Sequence, residues 1–107
     1  MKHFNYDKKN DIIALHQGFS QDEKFKCNID AGDLILDIST KERVRGVEIL
    51  NASEFLKEFL DDLSSVTDAD FLVSMKPQSI VLALKLKCKG QEIPAKIVAF
   101  REPAISC

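Results

Sequence analysis

The segment Val44–Ser53 (VRGVEILNAS) and the run EFLKEFLDDL after it constrain the fold more than any other part of the chain. The first half of this segment is rich in β-branched residues, which favour a strand. Asn51 is a suitable N-cap residue, and Glu54 stands where a capping box places its acidic side chain. We therefore predict a strand that passes directly into a helix over residues 51–64.

One apolar stripe runs along the predicted helix, because apolar residues recur there at helical spacing. These residues are Phe55, Leu56, Phe59, Leu60 and Leu63. A stripe of this kind has to be buried, and we expect it to pack on a sheet. Phe59 lies in the middle of the stripe, so we expect Phe59→Ala to cost about 3–5 kcal/mol of stability.

Strand-like alternation fills most of the remaining chain. Short alternating segments separated by polar turns predict an antiparallel β-meander over residues 4–53, and the same pattern predicts further antiparallel strands over residues 70–101. In the later region, Ile80–Cys88 places every second residue on one apolar face. The predicted class is therefore α+β: a β-meander, one amphipathic helix packed on the sheet, and further antiparallel strands, all in a single domain of residues 1–107.

Composition limits the classes of protein that this chain can belong to. It has 107 residues, of which 45% are hydrophobic and 30% charged, as expected for a globular domain. No apolar run approaches the roughly 20 residues of a membrane-spanning helix, so no membrane partner is expected. The first residues lack the apolar centre of a signal peptide, and we expect a cytoplasmic location.

The three cysteines and the charge distribution carry weaker signals. Cys27 and Cys88 lie in apolar alternating segments and are expected to be reduced and buried. The chain contains no CxxC pair, so a zinc knuckle is not expected. Residues 1–75 hold nine basic and fifteen acidic residues, whereas residues 76–107 hold six basic and two acidic ones. This asymmetry marks either a partner surface or two parts of one domain that attract each other.

The first half of the chain resembles a bacterial and archaeal family of a domain of unknown function, and the resemblance covers residues 4–53. It implies no catalytic residues, because that family has none established. Some members lie beside toxin genes, which favours a protein-binding role. The matching positions are Tyr6-Asp7, Asp11-Ile12, Gly32, Leu36-Asp37-Ile38 and the run Gly46–Ser53.

Histidine and aspartate residues in the first half form one candidate chemical cluster, and Asp37 with Glu48 is either a carboxylate pair for acid/base chemistry or part of a solvent-facing strand side. A hairpin that brings His3 near His16 and an aspartate has the donor types that zinc prefers. The alternative is that these histidines are solvated strand residues and that the aspartates stabilise turns. No catalytic, cofactor-binding or metal residue is assigned on this basis. The cluster consists of His3, Asp7, Asp11, His16, Asp30, Asp33 and Asp37.

Two functional hypotheses follow. The preferred one is a small non-enzymatic protein-interaction domain, which binds another copy of itself or another small protein. Its basis is that the apolar face of Ile80–Cys88 is longer than one helix can cover. The alternative is a small metal-dependent or acid/base enzyme that uses the His/Asp cluster.

The last predicted hairpin also contains a possible basic stripe. Phosphate groups would bind such a stripe, whereas lysines on an edge hairpin also prevent strand-to-strand aggregation. Nucleic acid is not expected as a partner, because the chain has one tyrosine and no tryptophan for stacking on bases. The stripe consists of Lys85, Lys87, Lys89 and Lys96.

Overall fold

The computed structural model describes residues 3–100, which contain eight strands, one short α-helix and one 3-10 helix. The strands form two antiparallel sheets. The elements are β1 (His3–Asp7), β2 (Ile12–His16), β3 (Phe25–Ala31), β4 (Leu34–Ser39), β5 (Val44–Leu50), α1 (Ala52–Leu56), a 3-10 helix (Leu63–Ser65), β6 (Val66–Met75), β7 (Ser79–Cys88) and β8 (Gln91–Phe100).

The first sheet has the strand order β1-β2-β5-β4-β3, so it is not the simple meander that was predicted. Strands β3, β4 and β5 do form a meander, but the β1–β2 hairpin lies on the other side of β5. In this order Ile13 of β2 pairs with Ile49 of β5, and Leu15 pairs with Val47. All four side chains are buried, so the observed order places apolar strands on both sides of β5. The connection of residues 17–24 joins β2 to β3 and passes the ends of β5 and β4, which lie between them.

The helix is much shorter than the predicted range of 51–64, because α1 covers only Ala52–Leu56. Asn51 adopts a left-handed conformation (φ 52°) and its side chain makes no capping hydrogen bond. After α1 the chain turns and forms the 3-10 helix, whose N-cap is Asp62. Leu56 and Leu63 are both buried in this arrangement. Because an irregular segment already buries these two residues, a continuous helix is not required.

The second sheet has the order β6-β7-β8 and consists of two consecutive hairpins. Its first strand begins at Val66, four residues before the predicted start at residue 70. The alternation predicted for β7 is confirmed. Its apolar side chains are at most 6% exposed. The chain itself covers this face, so the expectation that the face needs a second copy to cover it was wrong. These side chains belong to Ile80, Leu82, Leu84, Leu86 and Cys88.

A single cluster of buried side chains includes residues from both sheets and from α1. Leu36, Leu56 and Leu82 come from three different parts of the fold, and each has 0% exposure. The amide of Gln17 also links the sheets, since its Nε2 donates to the Phe71 carbonyl at 3.1 Å. The fold is therefore mostly antiparallel β-structure with one small helix, in keeping with the predicted α+β class at that coarse level.

The cysteines differ in state. Cys88 is free and buried, as predicted, but Cys27 is half-buried and disulfide-bonded, so the expectation that it is reduced was wrong. Disulfides are most common in oxidising compartments, so the cytoplasmic location stays a prediction from the sequence alone. Neither helix found in residues 3–100 has the length and apolar character needed to cross a membrane.

Candidate functional site

The five-stranded sheet brings two histidines and one aspartate of the predicted cluster onto one row of its outer face. The strand register places His3 opposite His16, His16 opposite Gly46, and Gly46 opposite Asp37. A Cβ atom at Gly46 would lie 2.5 Å from Asp37 Oδ2 and 2.7 Å from His16 Cδ2. The absence of a side chain at Gly46 therefore lets the imidazole and the carboxylate lean over β5 towards each other.

His16 is held in place by its own loop. The Gly18 backbone N–H donates to His16 Nδ1 at 2.7 Å, and the Phe19 ring packs edge-on against the imidazole with 4.9 Å between centroids. Because Nδ1 accepts this bond, the neutral ring carries its hydrogen on Nε2. Over residues 3–100, no three His, Cys, Asp or Glu side chains are grouped so that they could hold a metal ion. The row thus gives the zinc hypothesis no support.

Two other aspartates of the predicted cluster stabilise turns, whereas Asp33 bonds to the start of α1. Asp7 accepts two hydrogen bonds from within its own turn. Asp30 accepts from the Gly32 backbone N–H at 3.1 Å, and Asp33 accepts from the Asn51 side chain at 3.2 Å. Asp7 and Asp30 therefore have the local role that the turn interpretation predicted, whereas the side chain of Asp33 bonds to a residue eighteen positions away.

Asp11 joins parts of the family-like pattern that are distant in sequence. Its Oδ1 accepts from the Tyr6 hydroxyl at 2.8 Å and from the Ser53 backbone N–H at 3.0 Å. Its Oδ2 accepts from Ser53 Oγ at 2.6 Å. Asp11, rather than Asn51, thus caps the first turn of α1. Because one carboxylate ties the β1–β2 turn to the start of α1, this part of the pattern has a structural explanation.

The electrostatics of this network follow from its hydrogen bonds. Burial disfavours the charged form of Asp11, but the hydrogen bonds from Ser53 and Tyr6 outweigh it and lower the pKa of the carboxyl group. Burial and the nearby Asp11 charge raise the pKa of Tyr6 to about 12. The pair therefore consists of a stabilised carboxylate and a phenol that keeps its proton.

The connection between β2 and β3 contains a buried carboxylate that sequence reasoning missed. Glu23 is 4% exposed. It accepts two hydrogen bonds from the Arg43 guanidinium, from Nε at 2.9 Å and from Nη2 at 2.7 Å. The Ser39 hydroxyl and the Ser20 backbone N–H also donate to it. These donors hold the pKa of Glu23 far below its usual range. Nothing in the local sequence distinguishes this glutamate from a solvated loop residue.

Arg45 anchors the same connection near His16. Its Nε donates to the Gly18 carbonyl at 2.7 Å, and its Nη2 donates to the Gln17 carbonyl at 3.2 Å. Arg45 Nε is also 3.6 Å from Glu23 Oε1. One buried glutamate and two arginines, Arg43 just before β5 and Arg45 within it, therefore fix the loop that carries Gly18 and Phe19, and this loop in turn orients His16.

The face of the second sheet that points away from the core carries a cluster of exposed apolar side chains. Leu72 is 71% exposed, Val98 46% and Phe100 81%. Val81 and Ala83 of β7 lie between them in the strand register. We call these five residues the outer apolar patch. The sequence contains a sign of this patch, because residues 97–100 of β8 are apolar on both faces of the strand.

Charged residues occupy the other end of this outer face. Asp68 is opposite Lys87 and Asp70 is opposite Lys85 in the register of β6 and β7. The acidic strand and the basic strand therefore neutralise each other, which supports the view that the charge asymmetry reflects two parts of one domain. It also leaves the predicted basic stripe without a strong excess of positive charge.

A groove of about 650 Å³ lies over the middle of the same sheet. Its lining includes Phe59 and the central row of Phe71, Leu84 and Ala95, one residue from each strand. This lining is mostly apolar, and its charged residues are Asp70, Lys85 and Lys96.

Comparison with known proteins gives one family and one relative. A protein named "Putative hypoxanthine phosphoribosyltransferase" from Methanosarcina mazei is 26% identical over 83 residues, which cover 78% of this chain. The chain spans 65% of that relative's length, slightly under two thirds. No solved structure matches the chain. The resemblance seen in the first half is confirmed, since residues 3–53 match the family described as a protein of unknown function (DUF2283).

Proposed function

We propose that this protein is a small, non-enzymatic protein-interaction domain that associates with itself through the outer apolar patch. The observation that carries the proposal is the exposure of Leu72 (71%) and Phe100 (81%) on one sheet face. Contiguous exposed apolar surface of this kind is typical of interaction sites. Burying one such side chain completely contributes about 1.5–3 kcal/mol, so two copies of the patch supply a useful driving force.

The acid/base alternative has less support. The His16 row contains an imidazole beside a carboxylate, but His16 Nδ1 is already occupied by the Gly18 N–H. The large groove lies on the other sheet, far along the chain from this row. An enzyme is expected to combine a pocket with convergent catalytic groups. Here the His16 row lies on the first sheet and the groove lies on the second.

Other partner classes also receive little support. Lys85 and Lys87 face Asp70 and Asp68 across the β6–β7 hairpin, so nucleic acid is not proposed as a partner. The relative's name indicates a phosphoribosyltransferase, but that activity is not proposed for this chain. The alignment covers only part of the relative at 26% identity, and the four glycines of this chain form no glycine-rich phosphate loop.

Sedimentation velocity over a wide concentration range tests the proposal. The monomer mass is 12.0 kDa, and we expect the mass to rise towards twice that value at high micromolar concentration. Val98→Lys places a charge in the outer apolar patch and should return the protein to monomer. Asn28→Lys adds the same charge at an exposed position on the other sheet and should leave association unchanged. A wild-type protein that stays monomeric at every concentration would contradict the proposal.

A further inference from the structure

Among residues 3–100, no strand pairs with the outer side of β8, so its backbone forms the edge of the second sheet. The β6–β7 hairpin closes with a bond from Lys76 N to the Ser79 carbonyl at 2.8 Å, so the backbone of Ser79 faces β6. Successive residues of an antiparallel strand point their backbone groups to opposite sides. The even-numbered residues of β7 therefore face β8, where their partners are odd-numbered, such as Ile97 opposite Leu82.

Two further features agree with this assignment. The β7–β8 hairpin turns through Lys89 and Gly90, both with positive φ (52° and 78°), which is the conformation of a two-residue type I′ turn. Such a turn is flanked by a hydrogen-bonded pair, here Cys88 and Gln91. Pro94 has no N–H to donate, and its even number places it on the open side of β8, where no ladder bond is lost.

The open edge is divided into two parts by Pro94. Strand β8 is the last strand of its sheet over the described residues. Before Pro94 the edge is short and interrupted, as natural edge strands commonly are. After it, the segment Lys96–Phe100 (KIVAF) is apolar, contains no proline, and points the backbone groups of Lys96, Val98 and Phe100 outwards. This second part is a ready template for another strand.

We propose that the second copy binds by antiparallel pairing of its own Lys96–Phe100 segment with this edge, about a two-fold axis at Val98. This inference rests on the proposed self-association and specifies how it occurs. The two three-stranded sheets become one six-stranded sheet. Val98 then lies opposite Val98 of the second copy, and Lys96 lies opposite Phe100. These three residue pairs exchange about six main-chain hydrogen bonds, two for each pair.

Proline selects this register over its neighbours. Only outward-facing residues can bond across the edge, so alternative registers differ by two residues. A shift towards the start of β8 places Pro94 opposite Phe100 and loses a donor. A shift in the other direction leaves Lys96 outside the pairing with Phe100. Centring on Val98 is therefore the register that uses the whole proline-free segment.

The side chains agree with the same register. Even-numbered residues of β8 point to the outer face, so the pairing brings Val98 and Phe100 of one copy beside the same part of the outer apolar patch in the second copy. The Phe100 ring covers the aliphatic part of Lys96 from the second copy and attracts its ammonium group. The two Lys96 residues are four positions apart along the pair, about 14 Å at roughly 3.4 Å per residue. That distance exceeds the Debye length of about 8 Å at physiological salt, so they repel little.

The size of the contact predicts a weak dimer. Pairing of five residues buries less than the roughly 1,200 Å² of a small stable interface. We therefore expect dissociation in the micromolar range, which lets one sample be studied as monomer and as dimer by dilution.

Amide hydrogen exchange measured by NMR at high and low protein concentration tests the pairing in the wild-type chain. We expect the amides of Lys96, Val98 and Phe100 to exchange about tenfold more slowly at high concentration. The amides of Ile97 and Ala99 bond to β7 and should be protected at both concentrations. Amides of β3, the edge of the other sheet, should not respond to concentration.

A proline scan of the outward positions gives the second test. Val98→Pro removes an outward N–H that makes no bond to β7, so we expect a folded monomer. Glu92→Pro is the matched control, because residue 92 also faces outwards but lies outside the pairing segment. A dimer that persists with unprotected amides at Lys96, Val98 and Phe100 would overturn strand pairing and leave self-association standing. A wild-type chain that never dimerises would overturn both.

Discussion

Replacing Leu56 by alanine is the sharpest test of how the segment after β5 stabilises the fold. Leu56 has 0% exposure and belongs to the shared core, whereas Phe59 is only half-buried. The change removes three carbon atoms, worth about 2.4 kcal/mol at roughly 0.8 kcal/mol each. The two sheets limit collapse around the site, so a cavity contribution brings the total cost to about 3–4 kcal/mol.

The same reasoning reverses the expectation for Phe59, whose central place in the apolar stripe predicts a cost of about 3–5 kcal/mol. Because Phe59 is only partly buried against the core, we now expect Phe59→Ala to cost about 1–2 kcal/mol. Urea unfolding of both variants, with m-values compared to the wild type, measures the difference. The thermal midpoint of Leu56→Ala should fall by about 10–20 °C. A larger loss for Phe59→Ala than for Leu56→Ala would refute this account of the core.

Three further predictions concern the first sheet. The lowered pKa of Asp11 means that its contribution to stability is present above about pH 4 and is lost as the pH falls, so Asp11→Asn should flatten the acid side of a stability–pH curve. The pKa of Tyr6, raised to about 12, means that stability present below about pH 10 is lost as the pH rises through 12, and Tyr6→Phe should remove that loss. Gly46→Ala should cost about 1–3 kcal/mol in urea unfolding, since its Cβ would meet Asp37 and His16, and adding Asp37→Ala should recover part of it.

Much of the strand pattern could be predicted from the sequence because most strands have one buried and one exposed side. The alternation in β7 is the clearest case, with buried residues at every second position from Ile80 to Cys88. The turns were visible for the same local reasons, as at Lys89-Gly90. Local alternation does not determine strand order, however. The pairing of β2 with β5 depends on contacts between residues thirty or more positions apart.

The helix was overestimated because helical spacing and an irregular buried segment satisfy the same pattern. Leu56 and Leu63 are both buried, as a helix of 51–64 would require, yet the chain between them is mostly turn. Asn51 was expected to cap this helix, but its left-handed backbone and the distant Asp11 carboxylate replace that cap. A cap supplied from forty residues away has no local sequence signal.

Of the candidate site, sequence reasoning found the residue types but not their neighbours. His3, His16 and Asp37 do share one row, and the small side chain of Gly46 explains how Asp37 and His16 approach each other. The buried Glu23 was missed because two of its donors, Ser39 and Arg43, lie sixteen and twenty positions away. The apolar surface was assigned to the wrong face, since the buried side of β7 was taken as the exposed one.

The two sheets differ in what their polar and apolar side chains do. Polar networks hold the loops of the first sheet in place, whereas the second sheet exposes an apolar surface. In residues 3–53, which match the DUF2283 family, the polar networks of Asp11 and Glu23 tie loops and strand ends together. The outer apolar patch and the open edge of β8 both lie beyond that match. If the family half is a scaffold, the feature that distinguishes this chain is its second sheet. We therefore expect substitutions on the open edge of β8 to change the proposed self-association, and substitutions in the Asp11 or Glu23 networks to change stability without changing the association.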